Sequence, residues 1–185
     1  MGALKFRVLL DTEKETEIFR DILVDENDNF ETLYRAIISG FNFQGQEMAS
    51  FYMSNDNWDK GHEISLVDIN YGDEAIDEKA SVMSDAVLND FMEVEDQKVI
   101  LVYDFMRMWI FLIELVERVD QKISAPEVLL AIGMAPPEDS RGTGIENEED
   151  DLLFEEDEFE DEDEFGLDDY EDGYADEDYS SFDDY

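Results

Sequence analysis

The chain has 185 residues, with 53 Asp or Glu against 12 Lys or Arg, a formal net charge of −41 and no cysteine. That length bounds the answer to one domain plus a further segment, and the absence of cysteine excludes disulfide scaffolds, zinc ribbons and cysteine nucleophiles. A lone histidine, His62, leaves His-based metal sites and neutral-pH acid–base chemistry hard to staff, and the negative field opposes phosphate contacts, so direct nucleic-acid binding is not expected.

Met1 to Leu10 carries Lys5 and Arg7 inside its apolar run and lacks a small-residue cleavage pattern, so it reads as a strand rather than a signal peptide. Phe6 stands where a myristoylation signal after Gly2 needs Ser or Thr. Leu4, Phe6, Val8 and Leu10 alternate with Lys5, Arg7 and Leu9, the period-two pattern of a half-buried strand. Thr16 to Val24 gives a second strand, making an opening hairpin. Asp28 is placed to cap a helix along which Phe30, Leu33, Tyr34, Ile37, Ile38 and Phe41 recur at helical spacing, with Gly40 near its end. That stripe reads as core packing, with a ligand groove as the functional alternative.

Ala49 to Ser54 and Glu63 to Val67 read as short strands around a polar loop in which His62 is a solvated turn residue. Ser84 to Met92 reads as a second, shorter helix. Lys98 to Phe105 and Met108 to Val119 are strand-like and form a central hairpin. Val99 to Val116 is interrupted by Asp104, Arg107 and Glu114, so it does not span a membrane. Ser124, Pro126 and Glu127 read as a helix start and Gly133 as a stop, predicting a short helix through Val128 to Ile132. The expected fold class is α+β: a mostly antiparallel sheet packed against one main helix and one or two short ones. A soluble, cytoplasmic protein is expected, and its oligomeric state is left open.

Ile18-Phe19-Arg20-Asp21-Ile22-Leu23-Val24, the helix from Phe30 to Phe41, Tyr103-Asp104-Phe105 running to Trp109, and Pro136-Pro137-Glu138-Asp139 followed by Gly142 and Gly144 make a set. Over about residues 3–145 this set resembles the plasmid pRiA4b ORF-3-like family, a bacterial α+β domain whose members mostly lack an assigned activity. The resemblance implies Asp-Phe-Gly-Asp-x-Trp-x-His along the Tyr-Asp-Phe strand, where this chain has Met106, Arg107 and Phe111 at the Gly, second Asp and His positions. It implies Gly-Trp and then His after the first helix, where this chain has Asn42-Phe43 and Glu47. It also implies Cys flanking the Pro-Pro-Glu-Asp turn, at Ala135 and Ser140. The resemblance therefore carries the fold and argues against an enzymatic reading.

Asp104, Glu138 and Asp139 are the candidate carboxylates, since clustered carboxylates can share a proton or a divalent ion. The plainer alternative has Asp104 accepting backbone or Arg20 hydrogen bonds while the Pro-Pro-Glu-Asp turn closes the fold. Trp109 is either a stacking platform or a buried hairpin anchor. Asp25-x-Asn27-x-Asn29 and Asp68-x-Asn70 both miss the glycine of a calcium loop. No Gly-rich phosphate loop or Ser/His/Asp set is present, so no catalytic residue, metal or other cofactor is expected.

The chain divides at 145. Residues 1–145 form the domain, with 30 acids and 12 bases, and residues 146–185 carry 23 acids and no Lys or Arg. A like-charge block of that length is expected to be disordered. Interleaved in it are Phe154, Phe159, Phe165, Tyr170, Tyr174, Tyr179, Phe182 and Tyr185, whose spacing fits neither a helical nor a strand face. Acidic–aromatic alternation of this kind serves interaction segments, although a merely solubilising tail is the simpler alternative. The leading expectation is a non-enzymatic interaction protein whose tail engages a basic protein partner. The alternatives are an acidic surface that mimics nucleic acid and occupies a DNA- or RNA-binding protein, and a divalent-metal enzyme built on the three carboxylates.

Overall fold

The computed structural model describes residues 2–13, 16–68 and 82–143. Its elements, in chain order, are strands β1 (Ala3–Leu10) and β2 (Phe19–Asp25), helix α1 (Phe30–Gly40), strands β3 (Ala49–Ser54) and β4 (Lys60–Ser65), a single-turn helix α2 (Leu88–Phe91), strands β5 (Lys98–Tyr103), β6 (Trp109–Val119) and β7 (Glu127–Ile132), and a 3-10 turn at Glu138–Ser140. The strands form one antiparallel sheet in the order β4-β3-β5-β6-β1-β2-β7. The fold is α+β, with β5 and β6 paired in the middle as the sequence implies. No helix among the described residues is long and apolar enough to cross a membrane.

Alternation along β1 sends Leu4, Phe6, Val8 and Leu10 to the face beneath α1, where all four are buried. Arg7 points to the other face, ion-pairs with Asp21 at 2.8 Å and lies over the Phe19 ring. The core sits between the sheet and the apolar stripe of α1, formed by Phe30, Leu33, Tyr34, Ile37 and Ile38. Edge-to-face ring contacts tie the layers together, with centroids 5.1 Å apart for Phe30–Phe51 and 5.0 Å for Phe41–Phe111.

The helix is capped by Asn29 rather than Asp28: the Asn29 side chain accepts from the Thr32 amide at 2.9 Å and donates to the Ser84 carbonyl. The helix ends at Gly40, as the sequence implies, and closes through Asn42. At Asn42 φ is +60°, its amide donates to Ser39, and the Phe43 amide donates back to Ile38 at 2.9 Å. This double closure is the left-handed C-terminal cap that only Gly or Asn adopts readily.

Four further expectations are corrected. The segment 127–132 is a strand paired with β2, not a helix; five consecutive apolar residues satisfy either period, and the open edge of β2 offers them a ladder. Gly133, expected to stop that helix, instead turns the chain at φ +74°, where a Cβ would come within 2.8 Å of the Glu17 carbonyl. His62 lies within β4, its ring stacked on Phe91 with centroids 5.9 Å apart. The helix expected over Ser84–Met92 is helical only at Leu88–Phe91, though Met83, Ala86, Leu88, Phe91 and Met92 still bury their side chains.

Arg20 joins the three elements at one corner. Buried beneath Phe41, it donates to the carbonyls of Gly40, Phe19 and Ile132, each at 2.8 Å. A cation at the α1 C-terminus also meets the negative end of the helix dipole. Burial pulls the guanidinium pKa below its ordinary value, yet three carbonyls keep it solvated. Replacing Arg20→Met leaves those carbonyls without their donor, so a loss of about 2 kcal/mol or more is expected in urea unfolding of the full chain. Faster amide exchange along β7 should accompany it.

Candidate functional site

Three segments distant in sequence meet at one end of the sheet: the chain after α1 (42–47), the β5–β6 turn (104–108) and the closing turn (136–141). Between them lies a cleft of about 380 Å³ whose walls include Asn42, Gln44, Glu47, Arg107, Glu138 and Asp139.

Asp104 is not in a strand, since β5 ends at Tyr103. It adopts φ +57° and is only 2% exposed. Its Oδ1 accepts from the amides of Met106 and Arg107 at 3.0 and 3.1 Å, and Oδ2 faces Arg107 Nη1 at 3.3 Å. Asp104 therefore shapes the turn and pairs with Arg107. Arg20, the partner considered from sequence, is engaged at the other corner described above.

Glu138 is the centre of the site. Its Oε1 accepts from the Tyr103 hydroxyl at 2.5 Å, its Oε2 accepts from the Gln44 amide at 2.6 Å, and its carbonyl accepts from the Trp109 indole N–H at 3.0 Å. Trp109 is buried against Phe43, with centroids 5.1 Å apart, and its ring carries the Arg141 guanidinium at 4.5 Å. Trp109 is thus an anchor of the closing turn, not an open platform. Arg141 also donates to the carbonyls of Met108 and Asp11, while Arg107 Nε holds the Arg141 carbonyl at 3.0 Å.

The three candidate carboxylates do not converge. Asp104 faces Arg107, Glu138 faces Tyr103 and Gln44, and among the described residues no three His, Asp or Glu side chains are placed to hold a metal ion. Tyr103, Gln44, Arg107 and Arg141 are the residues that sequence reasoning missed. Gln44 comes from the chain after α1, Tyr103 and Arg107 flank Asp104, and Arg141 follows Glu138 in the closing turn; the topology and not one local motif brings them together.

Two phenols back this arrangement. Burial raises the Tyr103 pKa, and the hydrogen bond to Glu138 raises it further. Tyr34 is pushed up to about 12, first by burial and then by the charge of Glu138, and its hydroxyl has no hydrogen-bond partner among the described residues.

The positions set out by the sequence resemblance gather here. Asn42, Glu47 and Arg107 line the cleft, while Phe111 packs on Phe41 and Phe43. The family model of the plasmid pRiA4b ORF-3-like protein matches residues 2–179. The chain belongs to the plasmid pRiA4b ORF-3-like family. A crystal structure of a protein of unknown function, MM3350 from Methanosarcina mazei Go1, shares the fold with a TM-score of 0.61 at 23% identity, over 85% of this chain and 84% of that one. No curated protein matches the chain. The family match continues past 145 into the acidic segment, whose aromatic candidates Phe154, Phe159, Phe165, Tyr170, Tyr174, Tyr179, Phe182 and Tyr185 lie outside the described residues.

Removing the Glu138 carboxylate strands a buried phenol and an amide, so Glu138→Ala is expected to cost about 2–3 kcal/mol in urea unfolding. In ultraviolet titration the same change should bring Tyr103 down toward the free phenol value. Because the folded pKa values of Tyr34 and Tyr103 lie above the unfolded ones, their contribution is complete below about pH 10 and is lost as pH rises through the folded values. Stability that instead increased above pH 10 would contradict this assignment.

Proposed function

We propose that this member of the plasmid pRiA4b ORF-3-like family is a non-enzymatic interaction protein. Its rigid α+β domain presents the acidic–aromatic segment 146–185 to a basic protein partner in the cytoplasm. The observation that carries the reading is the use made of the motif residues. Trp109 and Glu138 direct their polar groups across segments and fix the closing turn, while Asp104 shapes the β5–β6 turn against which it packs. Arg141, pinned over Trp109, then starts the outgoing chain from a defined point.

Five residues later begins a run with 23 acids and no base. Such a run steers a basic partner from a distance, and eight aromatics supply the short-range contacts that charge alone lacks. Asp139 and Glu47 at the cleft mouth extend the acidic surface toward the anchor point.

Two full-length variants separate the contributions. Replacing the eight tail aromatics with Ser keeps the steering, so partner capture by cross-linking in the native cell should start normally but fail to persist through washing. Replacing the tail acids with their amides should slow association by about tenfold or more at low salt and flatten its salt dependence. Capture indifferent to both variants would remove the tail from the function.

A further inference from the structure

A seven-stranded sheet has two edges, and here they differ. The β4 edge carries Lys60, Gly61, His62 and Glu63, the polar and charged composition that discourages strand addition. The β7 edge reads Glu-Val-Leu-Leu-Ala-Ile, and every residue in it is exposed. Val128, Leu129, Leu130 and Ile132 show 42–50% of their surface to solvent, and Met134 beyond them shows 90%. The strand contains no Lys, Arg or Pro, and β2 is its only strand neighbour among the described residues.

Both faces of this edge are apolar. A bulge opposite Asp21 and Ile22 breaks the alternation. Val128 turns toward α1, 3.6 Å from where a Cβ on Gly40 would lie, whereas Leu130 sits opposite Asp21 and Ile132 opposite Phe19 on the face that carries Arg7. Beside Val128 a groove of about 380 Å³ runs between β7 and α1, with Ile22, Ala36 and Pro126 in its lining and Arg35 and Glu127 as its charged members.

We propose that β7 is a self-pairing edge: two copies of the chain join β7 to β7, antiparallel about a two-fold axis, and continue the sheet across the interface. Charge selects a second copy over a basic partner. In a chain whose residues are 35% charged, β7 holds one charge, Glu127, at its first position. The strand therefore offers a basic segment almost nothing to read, but gives another copy an uncharged, self-complementary surface. Antiparallel pairing also puts the two Glu127 carboxylates at opposite ends of the joined strands. Arg141 is fixed where β1 ends and β6 begins; antiparallel pairing turns those ends apart, so the two Arg141 side chains lie at opposite ends of the joint sheet.

The salt response has a sign of its own. Capture of a basic partner weakens as salt rises, whereas two copies of like charge associate more tightly once repulsion is screened. The test is sedimentation velocity of the full chain across a wide concentration range at low and high salt. A species of about twice 21.5 kDa, favoured by salt, is expected. Leu130→Lys places like charges near one another across the two-fold axis and should raise the dimer dissociation constant at least tenfold, on the order expected for opposed like charges in a sheet. Val116→Lys, at an exposed position on β6, should leave it unchanged, and circular dichroism should show both variants folded. A monomer at every concentration overturns the proposal, as does a dimer indifferent to both Leu130→Lys and Leu129→Lys. A monomer in which deleting 146–185 speeds amide exchange along β7 gives the edge to the chain's own tail. A monomer that loses a captured partner through Leu130→Lys gives it to another protein; either result also overturns self-pairing.

Discussion

One helix has to cover one face of seven strands. At 1.5 Å per residue, the eleven residues of α1 give about 16 Å of helix, while seven strands about 4.8 Å apart span roughly 29 Å. The shortfall explains much of the rest of the molecule. Large aromatics fill the space directly under the helix. The segment 82–92 folds over the β3 side, burying Met83, Leu88 and Phe91 with scarcely a turn of helix. The closing turn covers the end of β6 through Trp109 and Glu138. At β7, α1 approaches Val128, and the exposed Leu130 and Ile132 lie on the face away from the helix.

Cover supplied by loops needs polar fixing, because a loop has no ladder of its own to hold it. Glu138 supplies this at one corner and Arg20 at the other. The two are chemical opposites with one structural role. The carboxylate collects O–H and N–H donors from β5 and the post-helix loop, and the guanidinium collects carbonyls from α1, β2 and β7. Charged groups suit this role because each bond to them is stronger than its neutral counterpart. A carboxyl group in a pocket is therefore a poor sign of chemistry unless some of its valence is left open, and at Glu138 both oxygens are engaged.

The elements most legible in the sequence are those with a single consistent period. The stripe of α1 and the alternation of β1 each admit one reading, and the bounds of β3 are legible to the residue. Legibility fails where local signals point one way and a partner strand another: Pro126 and Gly133 frame a plausible helix, yet β2 has an edge to fill and takes the segment as a strand. It fails again at Asp104, whose positive φ leaves no mark in the pattern of apolar residues. The candidate residues Asp104, Trp109, Glu138 and Asp139 do fall at one end of the sheet, but Glu138 draws its partners Tyr103 and Gln44 from other segments, while the Asp104–Arg107 pair is local. Contacts spanning 35 and 94 residues, as at Glu138, are set by topology and not by spacing.

The residues around the site sort by what the backbone demands of them. Where conformation is fixed, the residue obeys it: Asn42 takes φ +60°, which Asn tolerates and most residues do not. Where packing is fixed, aromatic character holds, with Phe43 against Trp109 and Tyr103. Phe111 contributes core packing, and Arg107 supplies a charge that Asp104 can pair. The residues of the motif region thus serve to close the fold: Glu138 and Trp109 tie the closing turn to β5 and β6, and Asp104 shapes the turn between those strands.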